Sequence, residues 1–330
     1  MITTEIYNGQ GLGNQMWAYS ITRVIADHNN CKFSILSKHQ FKGKDFMDID
    51  FGEELKNYPS HDGPSSDLPD GIEHHYIEKK EVHASLNNNV DISRTDEKIF
   101  TIPINTKIDG NLQSTKYIKG RREKILSWFK IKDEYKQYVP DENVCLIHLR
   151  CGDYYGQRDV FLPISYYTNA MNIIKNINPN VRFCCVTDQP EIAVNFFGNV
   201  QITGSSVNGK KDTNMASHHL GGDLGVDFSY LKNAKYLIIP NSSFSWWAAY
   251  LNTSAKIIIA PKYWARFNIS NDFWSTGDII TDEFMYIDRQ GKMFSPKECW
   301  EEKENFVKNN ENLHISIRDQ HYKNIWRPAL

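Results

Sequence analysis

The sequence predicts an α/β protein in which parallel strands alternate with helices in a doubly wound sheet. Short apolar runs, typical of buried parallel strands, recur between residues 144 and 260, and helical patterns separate them. Polar or glycine-containing turns follow these strands. The chain has 330 residues, which exceeds one average domain, so two domains are expected.

A strand, a glycine-rich turn and a helix open the chain. They are predicted at residues 2–7, at Gly9-Gln10-Gly11-Leu12-Gly13-Asn14-Gln15 and from Met16 to His28. Such a turn exposes backbone N–H groups at a helix N-terminus, where the helix dipole favours an anion. The GxGxxG fingerprint of dinucleotide-binding proteins does not fit, because Asn14 stands where its third glycine would be. A P-loop does not fit either, since no Lys-Ser/Thr pair follows. A turn needed only for close packing is the alternative.

The rest of the N-terminal part has weaker patterns. A strand, a turn-rich loop, a second strand and an amphipathic helix are predicted, in this order, at residues 31–36, 57–71, 108–114 and 117–132. Apolar positions at Ile118, Ile125 and Trp128 form the buried face of that helix. Residues 72–100 are polar and weakly periodic, so they receive no assignment.

Regular strand–helix alternation begins after Pro140-Asp141-Glu142-Asn143, which predicts a domain boundary. The expected strands cover residues 144–149, 181–186, 199–203, 236–239 and 256–260. The expected helices begin near Pro163 and Pro190, cover residues 224–234 and 244–251, and end with a charged helix at 300–312. A polar loop occupies residues 204–223. The expected domains are therefore 1–140 and 141–290, followed by a helical extension at 291–330.

Composition and cysteine usage limit the possible classes of function. A net charge of −2 provides no overall field that would attract nucleic acid or an anionic membrane. The six cysteines lack CxxC spacing, and several lie inside apolar runs, which predicts reduced and mostly buried thiols. The N-terminus lacks the pattern of a signal peptide, and no apolar run reaches the roughly 18 residues of a membrane span. These features predict a cytoplasmic protein, and contact with a membrane surface is left open.

Three polar clusters fall at predicted strand ends, which share one edge of a parallel sheet. The clusters are Arg150–Asp153, Thr187-Asp188 and Asn241-Ser242-Ser243. Arg150 can hold a phosphate with two hydrogen bonds, and Ser242 and Ser243 can donate to phosphate oxygens. The alternatives are that Arg150 and Asp153 pair with each other and that Ser242 caps a helix. Asp188 is otherwise a turn residue. The coincidence of the clusters at one edge favours a nucleotide site.

Four further features have both a functional and a structural interpretation. Asp227 can accept two hydrogen bonds from a guanine edge, or it is a surface carboxylate of a helix. Trp246-Trp247 are adjacent on a helix, about 100° apart, which favours core positions for both. His218-His219 lack a third ligand at a recognisable spacing, so no metal site is predicted. Cys151 is either a thiol activated by its basic neighbour or a space-filling residue.

Four segments of the chain match known sequence motifs. Gly9–Tyr19 resembles GGLGNQMFQYA, and Gly110–Tyr117 is similar to the block that runs from a glycine to QSEKYF. His148–Tyr154 resembles HxRRGDY, and Asn241–Leu251 is similar to NSSFSWWGAWL. With these motifs the chain resembles glycosyltransferase family 11, the α-1,2-fucosyltransferases and their relatives. Looser similarity covers residues 162–167 and 259–262, so the resemblance extends over about residues 5–265 in family order.

The resemblance implies a GT-B glycosyltransferase, with two Rossmann-like domains facing a central cleft. It implies GDP-L-fucose as donor, no metal, and a single displacement that inverts the anomeric carbon. Domain 1–140 would bind the acceptor and domain 141–290 the GDP-sugar. The expected product is an α-1,2 linkage to a galactoside in a surface polysaccharide or oligosaccharide. A donor with a different GDP-linked sugar and an inactive nucleotide-sugar- or glycan-binding protein are the alternatives.

The same motifs imply roles for individual residues. Arg150 would hold the β-phosphate, His148 would touch the nucleotide, and Asp227 would read guanine. The residues assigned to the GDP-sugar are Gly11, Gly13, Asn14, His148, Arg150, Asp188, Asp227, Ser242, Ser243 and Phe244. Asp159 and Asp153 are both candidates for the catalytic base, and Asp153 has the alternative role of orienting Arg150.

One residue departs from the family pattern. Cys151 occupies the position of the second arginine in HxRRGDY, which removes a positive charge near the expected diphosphate or a structural ion pair. Four basic residues are candidates to compensate for it: Arg158, Lys210, Lys211 and Lys262.

Overall fold

The computed structural model describes residues 1–56, 58–78, 81–83, 90–92, 95–198, 201–203, 223–268, 278–309 and 314–317. The chain forms two compact units. Unit 1 comprises residues 1–130, 275–279 and 308–330, and unit 2 comprises residues 131–274 and 280–307. Each unit contains a parallel sheet, which confirms the predicted α/β fold class with two such sheets.

The units divide at Lys130 and Ile131 rather than at the predicted boundary near Pro140. Contacts explain the difference, because the Tyr138 ring lies 5.5 Å from the Tyr230 ring inside unit 2. Asn233 Nδ2 also donates to the Tyr138 carbonyl oxygen over 3.0 Å. The functional roles given to the two domains remain predictions.

Unit 1 is built on a four-stranded parallel sheet. The strands in this part of the chain are β1 (Ile2–Glu5), β2 (Phe33–Leu36), β3 (Met47–Asp48), β4 (His74–Ile77), β5 (Glu81–His83), β6 (Val90–Ile92), β7 (Thr106–Asp109) and β8 (Lys130–Ile131). The helices are α1 (Leu12–His28) and α2 (Arg122–Trp128). The sheet order is β2-β1-β7-β4, and β1 is central, with Ile2 opposite both Phe33 and Thr106.

Glycines explain where two predicted elements of unit 1 were wrong. The strand predicted at 108–114 ends at Asp109, because Gly110 with φ +147° turns the backbone. The helix predicted from residue 117 begins only at Arg122, because Gly120 with φ +72° is left-handed and cannot continue a right-handed helix. The first helix is longer than predicted, since α1 already begins at Leu12.

Unit 2 is built on a larger sheet that follows the predicted alternation closely. Its strands are β9 (Val144–Leu149), β10 (Arg182–Thr187), β11 (Gln201–Thr203), β12 (Tyr236–Ile238), β13 (Ile257–Pro261), β14 (Met285–Ile287) and β15 (Met293–Phe294). Its helices are α3 (Ile164–Ile177), α4 (Pro190–Phe197), α5 (Leu224–Asn233), α6 (Ser243–Tyr250) and α7 (Pro296–Asn309). The order is β11-β10-β9-β12-β13-β14-β15, and only the β14–β15 pair is antiparallel.

The strand order of unit 2 reverses next to β9. The chain proceeds from β9 to β10 and β11 on one side and continues with β12 and β13 on the other. The crevice between the carboxyl ends of β9 and β12 is therefore the topological switch point, where doubly wound sheets bind ligands. Behind it, Trp246 and Trp247 are fully buried, which confirms their predicted core positions.

The predicted helical extension at 291–330 is only partly helical. The α7 helix belongs mostly to unit 2, whereas a further strand, β16 (His314–Ile317), pairs antiparallel with β5 in unit 1. The alternating polar and apolar residues of His314–Ile317 are compatible with a strand, and this pattern did not enter the prediction. The six cysteines are free thiols, and all but Cys31 are buried, as predicted.

Candidate active site

The loops after β9 and β10 meet through an ion pair. Leu149 and Thr187 are register partners at the ends of these strands, so Arg150 and Asp188 follow side by side. Arg150 Nη1 donates to Asp188 Oδ2. Arg150 Nη2 donates to Asp153 Oδ1 over 2.7 Å. Two of the three predicted clusters are thus joined, and the alternative pairing of Arg150 with Asp153 is also present.

Asp188 fixes the backbone of this edge as well as the guanidinium. Its Oδ1 accepts a hydrogen bond from the Cys151 backbone N–H over 3.0 Å. Gly152, with φ +32°, lies directly against the pair, and a Cβ there would be 2.9 Å from Asp188 Oδ2 and 3.1 Å from Arg150 Cζ. The close approach requires glycine, because any side chain would displace one of the two charged groups.

Cys151 is a core residue rather than a reactive thiol. Its side chain belongs to the apolar cluster of unit 2, and Thr187 Oγ1 lies 3.9 Å from its sulfur. Burial raises the pKa of the Cys151 thiol to about 11, so the thiolate is not populated at neutral pH. The position of the missing arginine therefore faces the core in this structure.

His148, the last but one residue of β9, is buried and neutral. Burial, and secondly the nearby Arg150 charge, lower the pKa of His148 to about 3. Its Nδ1 has no hydrogen-bond partner among the described residues. Its ring lies 5.6 Å from the Phe244 ring, which in turn lies 5.6 Å from the Phe228 ring. These three rings form an aromatic wall beside Arg150, and His148 adds no positive charge to it.

The third predicted cluster lies across the switch point from Arg150. Tyr154 OH donates to the Asn241 carbonyl oxygen over 3.3 Å, and Asn241 Nδ2 donates to the Val160 carbonyl oxygen over 3.0 Å. Asn241 therefore ties the loop after β9 to the loop after β12. Ser242 occupies the N-cap position of α6, but its side chain makes no capping hydrogen bond. The alternative interpretation of Ser242 as a helix cap is therefore met by its position but not by a side-chain hydrogen bond.

Asp227 lies in the first turn of α5, next to Phe228 of the aromatic wall. The helix is capped by Asp223, whose carboxylate accepts from the N–H groups of Gly225 and Val226 over 2.8 and 3.1 Å. Asp227 is half-buried. Guanine recognition by Asp227 remains a prediction.

The two candidate bases have different surroundings. Asp153 follows Gly152 in a single 3₁₀ turn and contacts Arg150. Asp159 is exposed in the loop before α3, and within the described part of the chain no hydrogen bond or ion pair connects it to Arg150 or Asp188.

In unit 1, two segments that resemble family motifs contact each other. Gly11 is the extended N-cap of α1, and Gly13 is buried in its first turn. Asn14 is exposed, and its Oδ1 accepts a hydrogen bond from Gln113 Nε2 over 2.9 Å. The glycine-rich turn and the Gly110–Tyr117 segment are thereby joined.

Sequence reasoning missed the buried carboxylate that holds this second segment. Glu78 accepts from the Leu112 N–H over 2.7 Å and from Tyr117 OH over 2.9 Å. A Cβ at Gly110 would come within 2.5 Å of the Glu78 side chain, which explains the glycine. Glu78 lies in the polar region that received no assignment. A single acidic residue after His74–Ile77 was the only signal in the sequence.

A buried ion network in the unit 1 sheet was also missed. Lys107 Nζ lies 3.3 Å from Glu5 Oε2, and both side chains are almost fully buried. His75 Nε2 lies 2.6 Å from Asp109 Oδ2. Charged residues inside β-prone stretches were the available signal, because such residues are buried only when paired.

The residues proposed to compensate for Cys151 lie in different environments. Lys262 is buried, its Nζ lies 2.5 Å from Glu302 Oε2, and it is 3.6 Å from the Phe294 ring centroid. It is therefore committed to α7 and does not supply a charge for a ligand. Arg158 is exposed, whereas Lys210 and Lys211 lie outside the described residues, as do His218 and His219.

Two kinds of feature are absent from the described ranges, with their gaps. No helix there is long and apolar enough to cross a membrane. No group of three or more His, Cys, Asp or Glu side chains in these ranges is arranged to hold a metal ion.

The fold and the polar edge at the switch point of unit 2 define the chain as a doubly wound α/β protein of the ligand-binding type. The model of Glycosyl transferase family 11 matches residues 111–288, more than half of the sequence. The chain therefore belongs to glycosyltransferase family 11. The matched range includes the Arg150 and Asn241 segments, whereas the glycine-rich turn at Gly9–Gln15 precedes it.

Curated relatives are distant in sequence. The O-antigen biosynthesis glycosyltransferase WbnK of Escherichia coli is 27% identical over 183 residues, covering 49% of this chain and 57% of WbnK. The chain thus aligns with little more than half of that protein. An alpha-1,2-colitosyltransferase of Escherichia coli is 24% identical over 292 residues, covering 80% of this chain and 92% of the relative.

Solved structures of one fucosyltransferase are similar over most of the chain. NodZ alpha-1,6-fucosyltransferase soaked with GDP-fucose matches with a TM-score of 0.43 and 14% identity, covering 89% of this chain and 98% of NodZ. Fucosyltransferase NodZ from Bradyrhizobium matches with a TM-score of 0.40 and 15% identity, covering 78% of this chain and 94% of that chain.

Proposed function

We propose that this protein is an inverting glycosyltransferase that transfers L-fucose from GDP-fucose to a galactoside hydroxyl. The product would carry an α-1,2 linkage in a surface polysaccharide or oligosaccharide. The observation that carries the proposal is Arg150, held by Asp188 at the carboxyl end of β9 beside the switch point. Family membership supports glycosyl transfer, and the O-antigen relative supports a polysaccharide product.

Arg150 would stabilise the leaving diphosphate. Cleavage of a sugar–phosphate bond builds negative charge on the leaving group, and a donor already aimed at that charge lowers the barrier. Asp188 keeps the guanidinium in place, so little reorganisation is needed during the reaction. A guanidinium also matches the geometry of phosphate oxygens with two parallel hydrogen bonds.

The nucleotide would lie along the aromatic wall. His148 is neutral and offers its imidazole for hydrogen bonding without an added charge. Phe244 provides an apolar surface, and Ser242 and Ser243 provide hydroxyls at the start of α6. Asp227 would accept hydrogen bonds from the guanine base. These assignments follow the family motifs and the positions of the residues around Arg150.

The acceptor hydroxyl would be deprotonated by a carboxylate. A general base must lie within about 2.6–3.2 Å of the hydroxyl that it deprotonates. Asp153 is close to Arg150, whereas the exposed Asp159 has greater freedom to reach an acceptor. We retain both as candidates for the base.

A different GDP-linked sugar is the second candidate donor. The relative that aligns over 80% of this chain is an alpha-1,2-colitosyltransferase, which supports transfer of a sugar other than fucose with the same linkage. Binding without transfer is less well supported. The alternative of an inactive binding protein depends on the loss of an arginine at Cys151. Since the Cys151 side chain lies in the core, that loss gives it little support.

Release of GDP from a panel of GDP-sugars, with galactosides as acceptors, tests the proposal. The assay should be run with EDTA and with added divalent cations. We expect acceptor-dependent release from GDP-fucose in both conditions. Release from another GDP-sugar alone would select the second candidate. GDP binding without turnover of any donor on the full acceptor panel would contradict glycosyl transfer.

A further inference from the structure

Both terminal nitrogens of Arg150 are engaged by carboxylates. Nη1 donates to Asp188 Oδ2, and Nη2 donates to Asp153 Oδ1 over 2.7 Å. A diphosphate that uses the two-pronged face of a guanidinium needs at least one of these nitrogens. Each terminal nitrogen has a second N–H, but a carboxylate already on that nitrogen places a negative charge beside the oxygens of an incoming diphosphate. Binding at Arg150 is therefore opposed by the carboxylate on the nitrogen that the diphosphate approaches.

The two carboxylates are held to different degrees. The Asp188 side chain is 33% exposed, and its second oxygen also accepts the Cys151 backbone N–H over 3.0 Å. The Asp153 side chain is 67% exposed, and its carboxylate has no other hydrogen bond among the described residues. An exposed ion pair contributes little to stability, so the pair with Asp153 is the easier one to break.

The backbone also holds Asp188 more firmly than Asp153. Asp188 directly follows β10, whose six residues are paired with β9. Asp153 lies in a 3₁₀ turn of three residues, Gly152–Tyr154. Rotation of the Asp153 side chain into solvent breaks no bond except that with Arg150. Rotation of Asp188 would also leave the Cys151 N–H without its acceptor.

We propose that Asp153 and the diphosphate of the donor compete for the same guanidinium nitrogen of Arg150. Binding of the diphosphate breaks the Arg150–Asp153 pair and leaves the Arg150–Asp188 pair intact. Asp188 is then a positioning residue, and Asp153 is a competing ligand that weakens nucleotide binding. The inference rests on the proposed function, in which Arg150 binds the diphosphate.

This competition has a consequence for turnover. When the diphosphate is displaced from Nη2, the carboxylate of Asp153 can return to that nitrogen. An anion on a nearby loop also repels the negatively charged product. Asp153 should therefore increase the rate at which GDP leaves, and its removal should slow that step.

The experiment measures equilibrium binding of GDP, inorganic pyrophosphate and guanosine to the full chain by calorimetry. We expect Asp153→Asn and Asp153→Ala to bind GDP and pyrophosphate about 2- to 5-fold more tightly than the unmodified protein. Guanosine lacks the phosphates, so its affinity should not change. Asp188→Asn should bind both phosphate ligands more weakly, because Arg150 loses its fixed position.

Asp141→Asn is the matched control. Asp141 forms an exposed pair with Arg182 over 2.8 Å, and Arg182 is the first residue of β10, at the opposite end of the sheet. The variant removes the same charge from the same unit and should leave GDP affinity unchanged. An equal gain in Asp141→Asn and Asp153→Asn would mean that net charge alone is responsible, which overturns the proposal.

The experiment distinguishes failure of the proposed competition from failure of the proposed function. If the unmodified protein binds GDP and both Asp153 variants bind it equally or more weakly, the competition is wrong and the proposed function stands. If Arg150→Ala binds GDP and pyrophosphate as tightly as the unmodified protein, the assignment of Arg150 is itself wrong. If the unmodified protein binds neither ligand, the proposed function is wrong. Circular dichroism and the melting temperature of each variant establish that it is folded.

Discussion

Arg150 and Asp188 leave neighbouring parallel strands side by side and form an ion pair at the carboxyl edge of unit 2. The pair follows from register, since Leu149 and Thr187 are opposite each other at the ends of β9 and β10. A six-residue strand pairing thus determines the position of a partly exposed guanidinium.

Replacement of Arg150 by alanine should abolish most of the activity. Loss of one preorganised charge donor to a leaving group commonly lowers the rate by about 10²–10³. Arg150→Lys should recover little, because an ammonium group lacks the two-pronged geometry. Arg182→Ala is the control, since Arg182 is paired with Asp141 at the amino end of the strands. Donor turnover measures the effect, and equal rates for both alanine variants would contradict the role of Arg150.

Gly152→Ala should disturb the ion pair and destabilise the fold. The residue has φ +32°, and a Cβ would lie 2.9 Å from Asp188 Oδ2. We expect a loss of about 1–2 kcal/mol in the free energy of unfolding, together with weaker GDP binding. Urea unfolding and calorimetry measure the two effects.

Gly156→Ala separates backbone strain from the close approach. Gly156 also has a positive φ, +93°, but a Cβ there would meet nothing within 4 Å. It should lose stability without losing GDP affinity. If Gly156→Ala weakened GDP binding as much as Gly152→Ala, contact with the ion pair would not be the cause.

How far the sequence predicted the fold depended on how apolar each strand is. The β9 strand was predicted at its observed limits, because all six residues are buried and apolar runs of this length are typical of parallel strands. The β4 strand was missed because its polar His74 and His75 hid the pattern. Burial of His75 depends on its contact with Asp109, a partner distant in sequence.

For the candidate site, the sequence predicted which segments share an edge but not which side chains contact each other. Parallel topology alone places the Arg150, Asp188 and Asn241 segments at one edge, and the structure has them there. The partners within that edge could not be predicted, because the register between β9 and β10 is not encoded locally. For the same reason the sequence did not indicate that Cys151 faces the core while its backbone N–H binds Asp188.

His148 should make the stability of the protein depend on pH. Its pKa is about 3 in the folded protein, against an ordinary value of 6.5. Between these values the unfolded chain binds a proton that the folded protein does not, so stability falls as the pH falls below about 6.5. From pH 7 to pH 5 this residue should contribute a loss of about 2 kcal/mol.

The comparison of the protein with His148→Gln isolates this contribution from those of other titrating groups. The free energy of unfolding should be measured in urea at pH 7, 6 and 5 for both proteins. The variant, which cannot titrate at this position, should lose less stability over that range. Parallel pH dependences would show that His148 is protonated to the same degree in the folded and unfolded states.

Restoring the family arginine at Cys151 should harm this protein rather than activate it. Cys151 is fully buried in the apolar cluster of unit 2, and Arg150 already occupies the exposed side of the edge. A buried guanidinium without a partner costs several kcal/mol, so Cys151→Arg should lower the melting temperature strongly or prevent folding. Cys151→Ala, which leaves a small cavity without a charge, should cost about 1–2 kcal/mol and retain GDP affinity. Thermal unfolding and GDP binding should be measured for both variants. A stable Cys151→Arg protein that binds GDP more tightly would mean that this side chain can reach the ligand edge and that the core position of Cys151 does not exclude a charge there.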